Sequence, residues 1–370
     1  MTTARIDALI DELRSAGNLP AEFGSLLHEV PREKFVPARA WRGDTSAPID
    51  RVSDPGEWSE VVYSNTQIVI QFDDGAAEWP DVGRLPTCSN SMPSVVLGMF
   101  DALGARKGEQ VLEIGTGTGW TGAMLGRIVG PEGRVVSMEI DHQLAGQARE
   151  RIDRAGFHQV RVLQGDGAAG APELAPFHRV ISTMAVQLGR VPYAWVKQTK
   201  PGGTIVTPVR ADLSSGPLVR FTVHGDGTAT GRMLPMGVGF MEHRLDRAAV
   251  TAGEAHDWED ESADRKTTKT KPWLMLSDFV SRWALAVALP SCRYDMEEGR
   301  LAWLADPLTG SWATIVPSSE EGQFLVRQKG IRRLWDEAET AYRWWIGAGQ
   351  PTGLNWLWTI TPDRQTIEIA

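Results

Sequence analysis

The order of apolar and polar positions divides the 370-residue chain into three stretches. Near the start, Ile6, Leu9, Ile10 and Leu13 recur at helical spacing and predict a helix over residues 4 to 15, with a second over 20 to 28. From about 37 to 87 the pattern is interrupted by Pro, Gly and Asp, and Val61 to Ile70 is its one strand-like run. Between 94 and 207 the two periods alternate, with helices over 94–103, 119–129, 142–155 and 193–199 and strands over 110–114, 134–139, 160–163, 179–183 and 203–207. Such alternation predicts an α/β fold built on a doubly wound, mostly parallel sheet. Two more strand-like runs, 217–224 and 228–236, flank Gly225-Asp226-Gly227 and read as a closing antiparallel hairpin. Past 245 the pattern changes: 248–272 is polar and charged like a linker or lid, and ten of the fifteen tryptophans lie at or beyond 258. Three units follow, 1–245, 246–272 and a Trp-rich C-terminal domain over 273–370. Its tryptophans suit either the core of a small domain or a surface that anchors a peptide.

Candidate chemistry begins where one apolar run ends. Val111-Leu112-Glu113-Ile114 has the pattern of a buried parallel strand and breaks into Gly115-Thr116-Gly117-Thr118-Gly119 ahead of a helix. Glycines at the carboxyl end of a strand let the backbone turn sharply and approach a ligand where a Cβ would collide, although a tight turn of this kind can also be purely structural. Two acids arrive at the same edge. Glu139 closes the strand 134–139, where a carboxylate can take both hydroxyls of a ribose, and Asp166 follows strand 160–163 within Gly165-Asp166-Gly167, where it could face an adenine amino group. The spacing is Gly-x-Gly-x-Gly, whereas a dinucleotide pyrophosphate calls for Gly-x-Gly-x-x-Gly. S-adenosylmethionine is therefore expected in place of NAD, bound by Glu113, Gly115, Thr116, Gly117, Gly119, Glu139, Asp166 and Gly167.

Charge narrows the partners. Asp and Glu number 47 against 38 Lys and Arg, a net charge of −9, which argues against a general nucleic-acid binder because phosphate neutralisation needs a basic surface. An acidic peptide substrate would require a local basic patch. With Cys88 and Cys292 as the two cysteines and the seven histidines scattered, neither a disulfide framework nor a metal-ligand spacing is expected. The opening Met-Thr-Thr-Ala-Arg-Ile-Asp lacks an apolar signal core and no stretch approaches the length of a membrane span, so a cytoplasmic setting without a membrane partner is expected.

Several motifs, taken in order, resemble the protein-L-isoaspartate O-methyltransferase family. They are Val30-Pro31-Arg32-Glu33-Lys34-Phe35-Val36-Pro37, the run from Val111 to Gly119, Gly165-Asp166-Gly167, Ala175-Pro176-Phe177, and Pro201 to Val209, together spanning about residues 1 to 240. The resemblance implies a Rossmann-like class I methyltransferase sheet and S-adenosylmethionine-dependent esterification of the free carboxylate of isoaspartyl residues. The extension past 245 looks like that of relatives in the biosynthesis of ribosomally made, post-translationally modified peptides, which esterify an Asp of a cyclised precursor. Such an ester closes to a succinimide (aspartimide) and reopens to Asp and isoAsp. General isoaspartyl repair and an inert cofactor-binding scaffold are the competing readings.

The family also carries a Ser or Thr two residues before a Pro, ahead of the helix that leads to the glycine-rich strand. Here Thr87-Cys88-Ser89-Asn90-Ser91-Met92-Pro93 replaces the family's Thr-Ile-Ser-Ala-Pro, so the resemblance places the substrate-positioning hydroxyl on Ser91, before Pro93, with Ser89 the competing position. Both serines equally suit the cap of helix 94–103. Further departures are His178, where the family has Asp after Pro-Phe, and the longer segment 38–86. Few catalytic groups are needed: a carboxylate is ionised at neutral pH and a sulfonium methyl is already activated, so the protein's task is alignment.

Overall fold

The computed structural model describes residues 2–214, 216–244, 247, 258 and 260–369. Helix α1 (Thr2–Ser15) forms as its periodicity predicts, burying Ile6, Leu9, Ile10 and Leu13. The second expected helix splits into a 3-10 turn (Ala21–Phe23) and α2 (Leu26–Glu29). The stretch expected to be irregular instead builds a four-stranded antiparallel sheet in the order β2-β1-β3-β4. Its members are β1 (Arg39–Arg42) and β2 (Pro48–Asp50), then, after helix α3 (Pro55–Val62), β3 (Ile68–Phe72) and β4 (Pro86–Asn90). The strand expected over 61–70 is thus divided. Pro55 opens α3 and the Asp54 carboxylate accepts from the Glu57 amide at 2.8 Å, a capped start strong enough to draw Val61 and Val62 into the helix.

Downstream the alternation holds. Helix α4 (Pro93–Leu103), β5 (Gln110–Ile114), α5 (Trp120–Val129), β6 (Arg134–Glu139), α6 (His142–Arg154), β7 (Val160–Gln164), β8 (Phe177–Ser182), the short β9 (Val186–Gln187), α7 (Tyr193–Gln198) and β10 (Thr199–Arg210) follow one another. Strands β10-β8-β5-β6-β7 lie side by side and parallel, so β5 sits where the strand order reverses and its carboxyl end opens into a crevice. The expected hairpin, β11 (Pro217–Val223) and β12 (Ala229–Gly237), pairs antiparallel onto β10.

The C-terminal region departs most from expectation. Strand β13 (Asp264–Thr268) falls in the stretch read as a linker; residues 246, 248–257 and 259 of that stretch lie outside the described residues. Strand β13 is an edge strand with most of its side chains turned to water, and this is why its composition looks like a linker. Helices α8 (Pro272–Leu276) and α9 (Phe279–Ala288) lead to β14 (Arg293–Glu297), β15 (Leu301–Asp306), β16 (Ser311–Pro317) and β17 (Phe324–Lys329), which complete a sheet in the order β13-β17-β16-β15-β14. After α10 (Leu334–Gly347) the chain returns to the large sheet: β18 (Trp356–Ile360) pairs with β12, and β19 (Gln365–Ile369) with β18. The antiparallel part of that sheet is therefore larger than a single hairpin. Among the described residues no helix is long and apolar enough to cross a membrane.

The tryptophans explain the return. Trp283, Trp312, Trp335, Trp345, Trp356 and Trp358 are buried, so most of the C-terminal rings are core. Trp358 meets Phe221 of β11 edge-on at 6.0 Å and stacks on Trp283 of α9 at 6.0 Å, and one continuous core runs from Leu112 and Ile205 through Phe221 to Trp335. A chain ending near residue 245 should therefore lose soluble, cooperatively folded protein, because it uncovers Phe221 and Met233 and leaves the β12 edge unpaired. A sharp thermal transition and monomeric elution from such a chain would contradict this account.

Candidate active site

At the carboxyl ends of β5 and β6 lies a cavity of about 430 Å³, walled by the 115–118 turn, Glu139, Gly167, Thr183, the 87–92 segment and residues 237–244. Its floor follows from the local sequence. The Gly115 and Thr116 amides donate to the Met138 carbonyl at 2.9 and 3.1 Å, which folds the turn back onto β6. Gly117 stands at φ +54°, and its amide donates to Glu139 Oε2 at 2.8 Å. At Gly167 a Cβ would lie 2.3 Å from Ile114 Cγ2, so only glycine allows the β7 loop this close to β5. Glu139 is nearly buried and desolvation raises its pKa, opposed by the Gly117 and Asp141 amides. Its oxygens retain lone pairs for hydroxyl donors, the arrangement a ribose diol requires.

Seven of the residues expected from the sequence share this wall: Ser89, Ser91, Gly115, Thr116, Gly117, Glu139 and Gly167. The others stand behind it. Glu113 is fully buried and reaches the turn indirectly, accepting from Ser137 Oγ at 2.5 Å while Ser137 Oγ lies 2.6 Å from Thr116 Oγ1. Burial pushes its pKa up to about 8. Gly119 packs toward Ile152 and Ala148 of α6, and Pro93 opens α4. Asp166 caps the turn after β7, accepting from the Ala168 amide at 2.9 Å, and the same oxygen meets His243 Nε2 at 2.8 Å.

The serine-bearing side of the cavity is set by a buried cation. Arg32, 1 % exposed, spreads its guanidinium over six oxygens: Asn90 Oδ1 and the carbonyls of Val62, Ser64, Thr66, Asn90 and Ser91, at 2.5 to 3.3 Å. Asn90 in turn donates to Thr118 Oγ1 at 2.7 Å, tying this segment to the glycine-rich turn. The two serines therefore sit on a fixed backbone. Neither caps α4: its N-cap is Met92, with no side-chain cap, and Asn65 Oδ1 accepts from the Ser94 amide at 3.0 Å. Among the described residues no hydrogen bond engages the hydroxyl of Ser89 or Ser91.

A second set of wall residues is invisible in the pattern. Residues 237–244 cross the cavity mouth, with the Ala185 amide donating to Met241 O at 2.8 Å and the His243 amide to Ala185 O at 3.0 Å. Arg244 anchors the strap to Asp141 at 3.3 Å and to Asp74 at 3.0 Å. Each partner lies more than a hundred residues upstream, and no local signal links them.

The profile of the Protein-L-isoaspartate(D-aspartate) O-methyltransferase family matches residues 4–240. The chain belongs to this family. It is accordingly an S-adenosylmethionine-dependent protein carboxyl O-methyltransferase. It is 34 % identical to a protein-L-isoaspartate O-methyltransferase of Ignicoccus hospitalis over 215 residues, 58 % of this chain and 86 % of the relative. To the one of Thermotoga maritima it is 31 % identical over 186 residues, 50 % of each chain. A solved structure titled protein-L-isoaspartate O-methyltransferase shares the fold with a TM-score of 0.56 at 21 % identity and covers 99 % of both chains. That likeness runs through the C-terminal region, so the fold past 245 is shared with a protein-L-isoaspartate O-methyltransferase.

Two outcomes follow for this methyltransferase. Arg32→Lys supplies three donors from one nitrogen to six acceptors, and the orphaned carbonyls should cost about 3 kcal/mol or more, read from the denaturant midpoint. Glu113, its pKa raised from 4.5 to about 8, stays neutral in the folded chain while the unfolded one ionises, so this group's stabilising effect is complete below pH 4.5 and is lost as pH rises toward 8. Glu113→Gln should remove that slope, leaving the variant less pH-sensitive than the parent by more than about 1 kcal/mol between pH 5 and 8.5 in denaturation midpoints.

Proposed function

We propose that the carboxylate esterified here is the side chain of an Asp in a ribosomally made, cyclised peptide. The observation that carries this reading is the pair of unengaged hydroxyls, Ser89 and Ser91, on a segment held by Arg32 beside the glycine-rich turn. Two of the three departures from the family pattern, the 87–93 segment and the longer 38–86, lie on this acceptor side, while His178 sits at the other end of β5. The segment Thr87–Pro93 is longer than the family's and carries a second serine, and the longer segment 38–86 contains strands β1 to β3 of the small sheet, whose strand β4 carries Ser89. The cofactor side keeps the family's motifs. General isoaspartyl repair is the second reading, favoured by the whole-chain likeness to the structure bearing that title.

S-adenosylmethionine, when bound, supplies a methyl group already activated by a positive sulfur. The residues around it do the rest. Glu139 and the turn 115–118 would hold its nucleoside, with Asp166 fixing the loop that carries Gly167. A serine hydroxyl would donate to one carboxylate oxygen and leave the other free to meet the methyl group. No general base is required, since the acceptor is ionised. The strap 237–244 and Thr183 exclude water from the closed side. In the product ester the following backbone nitrogen attacks the carbonyl carbon, the methoxy group departs with the amide proton as methanol, and a succinimide ring remains.

Two measurements test this. Mass spectrometry of a cyclised Asp-containing peptide incubated with the protein should show gain of a methyl group followed by loss of methanol, faster than for linear isoaspartyl peptides; the opposite ranking supports repair. Ser91→Ala should slow methyl transfer about tenfold or more with S-adenosylmethionine affinity unchanged, because only an acceptor contact is removed. A silent Ser91→Ala beside a damaging Ser89→Ala would assign the role to Ser89.

A further inference from the structure

A second cavity, of about 550 Å³, lies along α6, with Lys34, Arg51, Trp58, Arg151 and Arg154 on its wall and Glu33 as the one carboxylate among them. Glu33 and Lys34 directly follow Arg32, whose guanidinium bonds to Asn90 and Ser91 in the wall of the methyl-transfer cavity, so the two spaces are neighbours. One guanidinium nitrogen of Arg151, Nη2, donates to Gln147 Oε1 at 3.0 Å; the other, Nη1, is buried and has no hydrogen-bond partner among the described residues. Arg51 sits over the Trp58 ring at 5.2 Å, and the Trp58 indole is fixed by its bond to the Pro37 carbonyl at 3.1 Å. Among the described residues none of these four cations belongs to an ion pair, in a chain with 47 acidic residues and a net charge of −9.

Four like charges around one cavity repel one another, and an unsatisfied guanidinium nitrogen adds a desolvation cost. A bound anion removes both penalties. The cavity is far larger than a phosphate ion, and its wall of Val36, Pro37 and Ala38 offers apolar surface to a peptide. From this geometry we infer that the cavity binds an acidic stretch of the peptide substrate, its carboxylates on Lys34, Arg51, Arg151 and Arg154 while the acceptor Asp reaches the serines. This rests on the acceptor being a peptide and adds a recognition element to it: the substrate carries Asp or Glu residues flanking the one that is methylated.

The test uses the full chain and a fluorescein-labelled hexaglutamate peptide, which has no Asp to methylate. Fluorescence anisotropy should show binding that weakens steeply with added salt. Arg51→Glu combined with Arg154→Glu should weaken it about tenfold or more with the thermal transition unchanged. Lys34→Glu, at an exposed site, serves if that pair fails to fold. In turnover, the paired variant should raise KM about tenfold for an acid-flanked Asp peptide and leave kcat, S-adenosylmethionine affinity and the KM of a neutral-flanked peptide as they were. Absence of hexaglutamate binding, equal binding by parent and variants, or binding of inorganic phosphate alone would overturn the assignment. Charge-dependent hexaglutamate binding without methylation of any Asp peptide would leave the acidic-peptide site standing and defeat the acceptor reading instead.

Discussion

Arg32 holds the Ser89–Ser91 side of the cavity together. A guanidinium taken wholly out of water, its pKa lowered to about 9 by burial, is tolerable only when its donors all find acceptors, and here they reach the end of α3, the turn after it and the Asn90–Ser91 backbone at once. Its charge also lies over the Trp120 ring at 5.3 Å, and the Trp120 indole donates to the Val30 carbonyl at 3.0 Å. The segment preceding the small sheet, the serine-bearing loop and the first turn of α5 are thereby placed by one another. Moving any of them would strand a buried charge or several buried carbonyls.

The large sheet poses a different constraint. Hairpin β11–β12 would present an open edge and an apolar face if the chain stopped there, and β18 with β19 covers that edge while α9 and α10 cover the face. The C-terminal region is thus joined to the catalytic sheet through backbone pairing and through shared aromatic contacts. Its tryptophans earn their density mainly as core; Trp344, 51 % exposed, is the clear exception among the large rings.

Two kinds of polar burial divide the labour at the site. Behind the glycine-rich turn, the hydroxyls of Ser137 and Thr116 connect Glu113 to the loop, and among the described residues one Glu113 oxygen has no hydrogen-bond partner, in keeping with a carboxyl that prefers to be neutral. On the opposite side, partly buried charges are paired: Arg244 of the strap reaches Asp141, the N-cap of α6, and Asp74 in the turn after β3, and Arg247 also pairs with Asp74. A buried hydroxyl–carboxyl network backs the glycine-rich turn, whereas ion pairs hold the mouth of the cavity.

Strand β5, its glycine turn and the acid ending β6 were legible in the sequence because each is set by neighbours a few residues away: an apolar run buried on both faces, a backbone needing positive φ at Gly117, a carboxylate at a strand end. Periodicity likewise marked α1 and the parallel strands. The split of 61–70 into helix and strand escaped it, because one capping carboxylate outweighed a β-like run. Tertiary structure alone decided that Glu113 and Asp166 stand behind the cavity wall, that a polar stretch is an edge strand, and that the last residues close the catalytic sheet. Each of these depends on pairing between segments far apart in the chain, such as Arg232 with Leu357, and a local pattern of apolar and polar side chains carries no record of its distant partner.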